Sequence, residues 1–281
     1  MSAERRRAAV LGHPVAHSLS PVLHRAAYSA LGLDWDYGLH DVTEGDLAGF
    51  VEGLDGTWAG LSLTMPLKEA VIPLLDDVDL VALATGAVNT VVLDQDGRHG
   101  WNTDVQGIVA ALDEHGAAAS TGAVLGAGAT ARSAVAALAR RGTTEVVLVA
   151  RRPEAAAAVL ATALQVGVGV EVLGWEAVPD ALEADCVVST VPRGVVDLFA
   201  PVVTAAGGPR GCLLDVVYDP WPTPLAEAWA DAGGTVASGL DMLLHQAVRQ
   251  VELMTGLTPP LGAMRSALTA AADARRNPAE G

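Results

Sequence analysis

Positive charge is what this chain has least of. Lys plus Arg number 17 against 33 Asp plus Glu, a formal net charge of −16 over 281 residues. Such a field repels polyanions, and the basic clusters at 5–7, 140–141, 151–152 and 275–276 are too short and scattered to override it. Nucleic acid and membrane surfaces are therefore not expected as partners. Cysteine is almost missing too. Cys186 and Cys212 sit in the apolar runs Asp-Cys-Val-Val and Gly-Cys-Leu-Leu, which make neither a metal-spaced set nor a disulfide framework. Buried thiols in a reducing compartment are expected. Long apolar runs are absent as well. The segment between Arg7 and His13 is too short for the apolar region of a signal peptide, and the Ala-rich stretch 155–164 is shorter than a membrane-spanning helix. The expectation is a soluble cytoplasmic protein. Aromatics are few (six Trp, three Tyr, two Phe), so the core is aliphatic. With 51% hydrophobic residues, and 30 Gly and 15 Pro in no repeat, disorder and fibre are excluded. The length suits one large or two modest domains.

Apolar periodicity alternates between strand-like and helix-like along nearly the whole chain, which predicts an α/β protein with largely parallel sheets. In the first part, strands are expected at 8–11, 35–42 and 59–63, with a helix over 21–31. Thr43-Glu-Gly-Asp46 reads as a capping box opening a helix to Glu52, and Pro66 stands where another would begin. Segments 87–93 and 98–101 flank Asp94-Gln-Asp-Gly97, a hairpin turn. A second cycle starts with a helix over 105–115 and a small-residue loop at 116–122. Strand 123–125, helix 131–141 and strand 145–150 follow, then strands near 168–173, 186–190, 213–217 and Val236. Amphipathic helices at 240–255 and 262–275 close the chain.

Val124-Leu125-Gly126-Ala127-Gly128-Ala129-Thr130-Ala131 matches the G-x-G-x-x-A form of the Rossmann fingerprint. Gly126 permits the tight turn, Gly128 lets backbone approach a pyrophosphate, and small Ala131 allows close helix–strand packing. The helix start then offers N–H groups and positive dipole to the phosphates. A glycine-rich turn alone is weak evidence; here a strand precedes it, and a helix and second strand follow. Where an NAD enzyme places an acid after that second strand, this chain has Ala150-Arg151-Arg152. Paired guanidiniums suit a 2′-phosphate, so NADP is expected rather than NAD.

The first strand exits into Gly12-His-Pro-Val-Ala-His-Ser18-Leu-Ser20-Pro21. Two hydroxyls spaced by one residue before a Pro-started helix can face an anion. Alternatively, Ser20 is the N-cap for Pro21. Further on stand Leu63-Thr64-Met-Pro66-Leu-Lys68, Gly86-Ala-Val-Asn89-Thr90, Asn102-Thr-Asp104 and Gly239-Leu-Asp-Met-Leu-Leu-His-Gln246. Singly, each has an ordinary explanation: Lys68 a surface lysine, Asp104 a helix cap, Gln246 a solvated helix residue. Together, in this order around the glycine turn, they resemble the shikimate dehydrogenase family from about Ala9 to the last helices.

The resemblance implies an α/β fold with an N-terminal substrate domain completed by C-terminal helices (1–104 and 240–281) and a Rossmann-type NADP domain (105–239). It implies that Ser18 and Ser20 bind a substrate carboxylate, with Tyr218 near it, and that Ser62, Thr64, Asn89 and Gln246 line the substrate site. Lys68 and Asp104 would be the catalytic pair, Asp104 also contacting a ring hydroxyl. Gly126, Ala127, Gly128, Ala129, Thr130, Ala131, Arg151, Arg152 and Gly239 would hold NADP. Two positions depart from the family pattern. Ser62 stands where an Asn is usual, with shorter reach and one donor fewer. The usual Asn-Arg-Thr-x-x-Arg reads Ala150-Arg-Arg-Pro-Glu-Ala155, with Arg152 the substitute for the second arginine. Hydride delivery to a ring ketone builds negative charge on oxygen, and a lysine ammonium within reach stabilises it and supplies the proton. The activity implied is reversible NADP-dependent reduction of 3-dehydroshikimate to shikimate, by a monomer or homodimer. Alternatives are a quinate or aminoshikimate dehydrogenase, or a non-catalytic NADPH-sensing module, against which Lys68 and Asp104 argue.

Overall fold

The computed structural model describes residues 5–205 and 211–276. Two compact units emerge: residues up to Thr103 together with those from Gln246 onward, and Asp104–His245.

The first unit contains β1 (Arg6–Gly12), α1 (Ser20–Ala30), β2 (Trp35–Asp41), α2 (Glu44–Glu52), β3 (Trp58–Leu63), α3 (Leu67–Ala70), β4 (Asp77–Val78), α4 (Leu80–Thr85), β5 (Thr90–Leu93) and β6 (Arg98–Trp101). They form one sheet in the order β2-β1-β3-β5-β6-β4. β1 runs parallel to β2 and β3, while β5 is antiparallel to β3 and β6. Central strands covered on both faces need continuous apolar runs, and Ala8 to Leu11 and Trp58 to Leu63 are buried without a break. Edge strand β2 buries Tyr37 alone.

Local differences from the expected elements have identifiable causes. The strand expected over 87–93 begins only at Thr90, because 86–89 closes α4: Gly86 is left-handed and the Ala87 amide bonds back to the Ala82 carbonyl at 3.2 Å. The capping box at Thr43 does not form. Its hydroxyl donates to Asp46 Oδ2 at 2.6 Å instead of the two side chains serving helix amides. The helix α4 itself carried an unread signal, Asp79, whose carboxylate accepts from the Val81 and Ala82 amides.

The second unit contains α5 (Asp104–Glu114), β7 (Gly122–Leu125), α6 (Ala129–Arg140), β8 (Glu145–Val149), α7 (Ala157–Val166), β9 (Gly169–Leu173), α8 (Val178–Ala181), β10 (Cys186–Ser189), α9 (Ala200–Ala205), β11 (Cys212–Asp215), α10 (Pro224–Asp231), β12 (Thr235–Ser238) and the start of α11 (Gly239–Thr255). α11 continues past residue 245 into the first unit, where α12 (Leu261–Arg276) packs on α1. The six strands are parallel, in the order β12-β11-β10-β7-β8-β9. That is the doubly wound dinucleotide-domain order, reversing direction between β7 and β10. Leu125, Val187, Leu213, Phe199 and Trp229 share one core. Cys186 and Cys212 are buried side by side in register on β10 and β11 as thiols. Burial pushes the Cys186 thiol up to about 12, which leaves it inert. Among the described residues no helix is long and apolar enough to cross a membrane.

At the exit of β11, Asp215 is buried, and burial raises its carboxyl above the usual range against hydrogen bonds from Thr223 and the Val217 amide. The Thr223 hydroxyl donates to Asp215 Oδ2 at 2.8 Å while its oxygen caps α10 by accepting from the Ala226 amide at 3.2 Å. Thr223→Ala removes a cap and a charge-assisted bond together, so denaturant unfolding should show a loss of about 2–4 kcal/mol. Thr223→Ser keeps both and should stay within about 1 kcal/mol of the parent. An alanine variant as stable as the parent would contradict this coupling.

Candidate functional site

In the first unit, the exits of β1 and β3 are held together by a missing side chain. A Cβ on Gly12 would lie 2.3 Å from Thr64 Cγ2, so only glycine lets Thr64 reach the end of β1. The Thr64 amide donates to the Leu11 carbonyl and its own carbonyl receives the Leu67 amide, both at 2.9 Å, which starts α3 and places half-buried Lys68. The Lys68 carbonyl accepts from the Val88 amide at 2.8 Å, bringing Asn89 alongside.

Behind this rim is a layer of polar residues that a core rarely contains: Ser62, Asn89, Thr90, Asn102, Thr103, Gln246 and Gln250 are all buried. They are hydrogen-bonded, all but Asn102 to one another and Asn102 to its own neighbours, as burial requires. Asn89 Oδ1 accepts from the Thr103 amide at 2.8 Å and the Thr90 hydroxyl at 2.9 Å, and its Nδ2 donates to Gln246 Oε1 at 3.3 Å. Asn102 Nδ2 donates to Thr85 Oγ1 at 2.8 Å and the Ala87 carbonyl at 3.0 Å. These bonds fix the backbone that delivers Asp104, buried, as the first residue of α5.

Ser18 and Ser20 stand at the start of α1, Ser18 half-buried and Ser20 buried. Ser20 is not the cap that its place before Pro21 suggested. It lies inside the helix, and Leu19 holds the cap position without a side-chain cap bond. The Ser20 amide instead donates to Ser18 Oγ at 3.2 Å. Both hydroxyls therefore stand at a helix start whose positive end suits an anion.

Sequence reasoning missed three members of this layer: Tyr37, His24 and Gln250. The Tyr37 hydroxyl donates to Ser62 Oγ at 2.6 Å, and Ser62 donates to Gln250 Oε1 at 2.9 Å. Gln250 falls one helical turn after Gln246, and that spacing was the available signal. His24 stacks on Tyr37 with ring centroids 4.0 Å apart. Burial lowers its pKa to about 4, against a hydrogen bond to Gln250, so it is neutral.

In the second unit, Gly126 leaves β7 with φ +112°, a region for glycine, and a Cβ there would lie 2.6 Å from Thr190 Oγ1. The Thr190 hydroxyl donates to the Leu125 carbonyl at 2.8 Å, so the turn is pinned where the strand order reverses. Gly128 is different. Its backbone is extended, and no protein atom lies within 4 Å of where its Cβ would be. It caps α6 with no side-chain bond at the helix start formed by Ala129, Thr130 and Ala131; Ala127 is partly exposed and Ala131 fully buried. Helix α6 thus starts two residues earlier than expected. This cradle fits the diphosphate of a dinucleotide. Arg151 and Arg152 are both exposed immediately after β8. Tyr218 is half-buried in the loop after β11. A Cβ on Gly239 would lie 2.2 Å from the Val216 carbonyl oxygen, so that glycine is required by close backbone packing. Ser238 and Asp241 form a capping box at the start of α11: the Ser238 amide donates to Asp241 Oδ2 at 2.8 Å and the Asp241 amide to Ser238 Oγ at 3.2 Å.

Comparison with known proteins agrees with these features. Residues 10–91 match the family model "Shikimate dehydrogenase substrate binding domain", and 239–269 match "Shikimate 5'-dehydrogenase C-terminal domain". The chain is 36% identical to the shikimate dehydrogenase (NADP(+)) of Methanothermobacter thermautotrophicus, over 92% of this chain and 94% of that one. The crystal structure of Mycobacterium tuberculosis shikimate dehydrogenase superposes with a TM-score of 0.86 at 44% identity, covering 95% of this chain and 99% of that one. The Thermus thermophilus enzyme, solved with NADP(H) and shikimate, gives 0.82 at 35% identity over the same shares. By sequence and by fold, this chain belongs to the shikimate dehydrogenase family.

Proposed function

We propose that the protein catalyses the reversible, NADP-dependent reduction of 3-dehydroshikimate to shikimate, an oxidoreduction at a CH–OH group. The observation that carries this reading is the buried layer of Asn89, Thr103 and Gln246, whose orientations are all fixed by hydrogen bonds. A binding face of ordered donors and acceptors suits a ring bearing several hydroxyls, and membership of the family names the ring.

Residues 1–104 with 240–281 are the substrate-binding part, and 105–239 are the cofactor-binding part. Ser18 and Ser20 hold the carboxylate, with Tyr218 beside it. Thr64, Asn89, Asp104 and Gln246 hold the ring hydroxyls, and Ser62 lines the same site. Gly126 to Ala131 receive the diphosphate, Gly239 completes the cofactor site, and Arg151 with Arg152 takes the 2′-phosphate. NADPH supplies the hydride when bound. The Lys68 ammonium stabilises the charge that builds on the carbonyl oxygen and delivers the proton. Asp104 orients that ammonium. The protein acts on dissolved small molecules in the cytoplasm, as a monomer or homodimer without nucleic acid or membrane, consistent with its net charge of −16.

Three measurements test the assignments. Lys68→Ala should lower kcat for shikimate oxidation by roughly 10²–10⁴, the worth of a positioned acid–base group; near-parental turnover would remove Lys68 from the chemistry. Gly128→Ser keeps a good helix cap and meets no protein atom, so the cofactor-free melting temperature should hold while NADPH affinity falls. Unchanged affinity would place the diphosphate elsewhere. Arg151→Ala should weaken NADPH binding about 10- to 100-fold in calorimetry and leave NADH nearly unaffected, as expected for charged hydrogen bonds to a 2′-phosphate. Equal affinity of the parent for NADH and NADPH would reduce the arginines to a solvated turn.

A further inference from the structure

The family places an Asn where this chain has Ser62, and the surroundings of Ser62 determine what it offers a ligand. Backbone groups decide the protons around Ser62. The Asn89 carbonyl can only accept, so Gln250 turns its Nε2 toward it, at 3.3 Å, and toward Thr90 Oγ1, at 2.9 Å. Gln250 Oε1 then faces Ser62 and His24, at 2.9 and 3.1 Å, and both must donate to it. His24 therefore carries its proton on Nε2, and its Nδ1 accepts from the Tyr28 hydroxyl at 3.3 Å. Ser62 has spent its only proton on Gln250, so the Tyr37 hydroxyl at 2.6 Å must donate to it. On the other side, the Thr103 amide can only donate, which fixes Asn89 Oδ1 toward it and Nδ2 toward Gln246.

We infer that Tyr37 and Gln250 are positioning residues for substrate binding, which lock the Ser62 proton inward so that Ser62 meets the substrate only as an acceptor. This rests on the functional reading above. An Asn at 62 would present an amide donor; this chain presents none there. The residues Tyr37, Ser62, Gln250, Thr90 and Asn89 thereby form one directional chain, joining Ser62 to the residues assigned to the ring hydroxyls. Disturbing any link disturbs a seat it does not touch.

Steady-state kcat and KM for shikimate at saturating NADP, with melting temperatures, test this on the parent, Tyr37→Phe, Ser62→Ala and the double variant. Tyr37→Phe and Ser62→Ala each delete one hydroxyl, and the Phe ring keeps the stack on His24. Each single variant should raise KM about 5- to 20-fold with kcat within about threefold, the signature of lost binding rather than lost chemistry. Because both act through one chain, the double variant should raise KM no further than the larger single. Gln250→Met, which keeps length and loses the amide, should match that larger single. Three results would overturn the inference: KM that rises in Ser62→Ala but not in Tyr37→Phe, single effects that multiply in the double variant, or unchanged KM with only melting lowered. A parent that turns over no shikimate would overturn the functional reading, and the inference with it; that outcome is read before any variant is compared.

Discussion

The bond between the Gln250 amide nitrogen and the Asn89 carbonyl oxygen is the constraint on which the substrate side of this protein depends. Burying a polar side chain without a partner costs about 1–3 kcal/mol, and here seven polar side chains share one interior layer. The layer is tolerable only if donors and acceptors match throughout. One carbonyl and one amide, those of Asn89 and Thr103, set the orientation of the Asn89 and Gln250 amides and of the Thr90, Ser62 and Tyr37 hydroxyls. Such a layer is rigid for the same reason that it is stable. Turning one member leaves at least two others unsatisfied, and in a low-dielectric interior that penalty is large. A site ordered before its ligand arrives loses little freedom on binding, which is where such a layer helps recognition.

Close approach by glycine is the second recurring device, and it has two forms. Gly12, Gly126 and Gly239 are glycines because a side chain would strike Thr64, Thr190 or the Val216 carbonyl; they shape the protein itself. Gly128 touches nothing, and its lack of a side chain serves whatever occupies the space before α6. The distinction separates glycines whose replacement should cost stability from one whose replacement should cost binding. It also sharpens the fingerprint argument, since a purely structural turn would give no reason for Gly128 to be bare.

Much of the fold was legible because its strongest signals are local. The glycine turn between strand 123–125 and the following helix, the hairpin at Asp94–Gly97 and the two closing helices all fall where periodicity and turn chemistry put them. Helix α7 was not recognised, because its apolar, Ala-rich stretch has a weak amphipathic pattern and no side-chain cap. The motif residues Ser18, Ser20, Thr64, Lys68, Asn89 and Gln246 were visible as a set only through their order along the chain. Tyr37 and Gln250 belong to no motif. Tyr37 lies on an edge strand and Gln250 on an amphipathic helix, and neither position stands out in the sequence. Their importance comes from long-range pairing, across 25 residues from Tyr37 to Ser62 and 188 from Ser62 to Gln250, which no local pattern encodes. The Ser20 cap failed for the converse reason: the local rule was sound, but the helix began one residue earlier.

The direction of the protons in the buried layer can be observed directly by neutron diffraction from hydrogen–deuterium-exchanged crystals. The expected result is a deuteron on Ser62 Oγ aimed at Gln250 Oε1, one on the Tyr37 hydroxyl aimed at Ser62, His24 deuterated on Nε2 alone, and the Gln250 amide deuterons facing Asn89 and Thr90. A Ser62 deuteron aimed away from Gln250, or a Gln250 amide turned with its oxygen toward Thr90, would contradict the claim that two backbone groups order the chain from Asn89 to Tyr37.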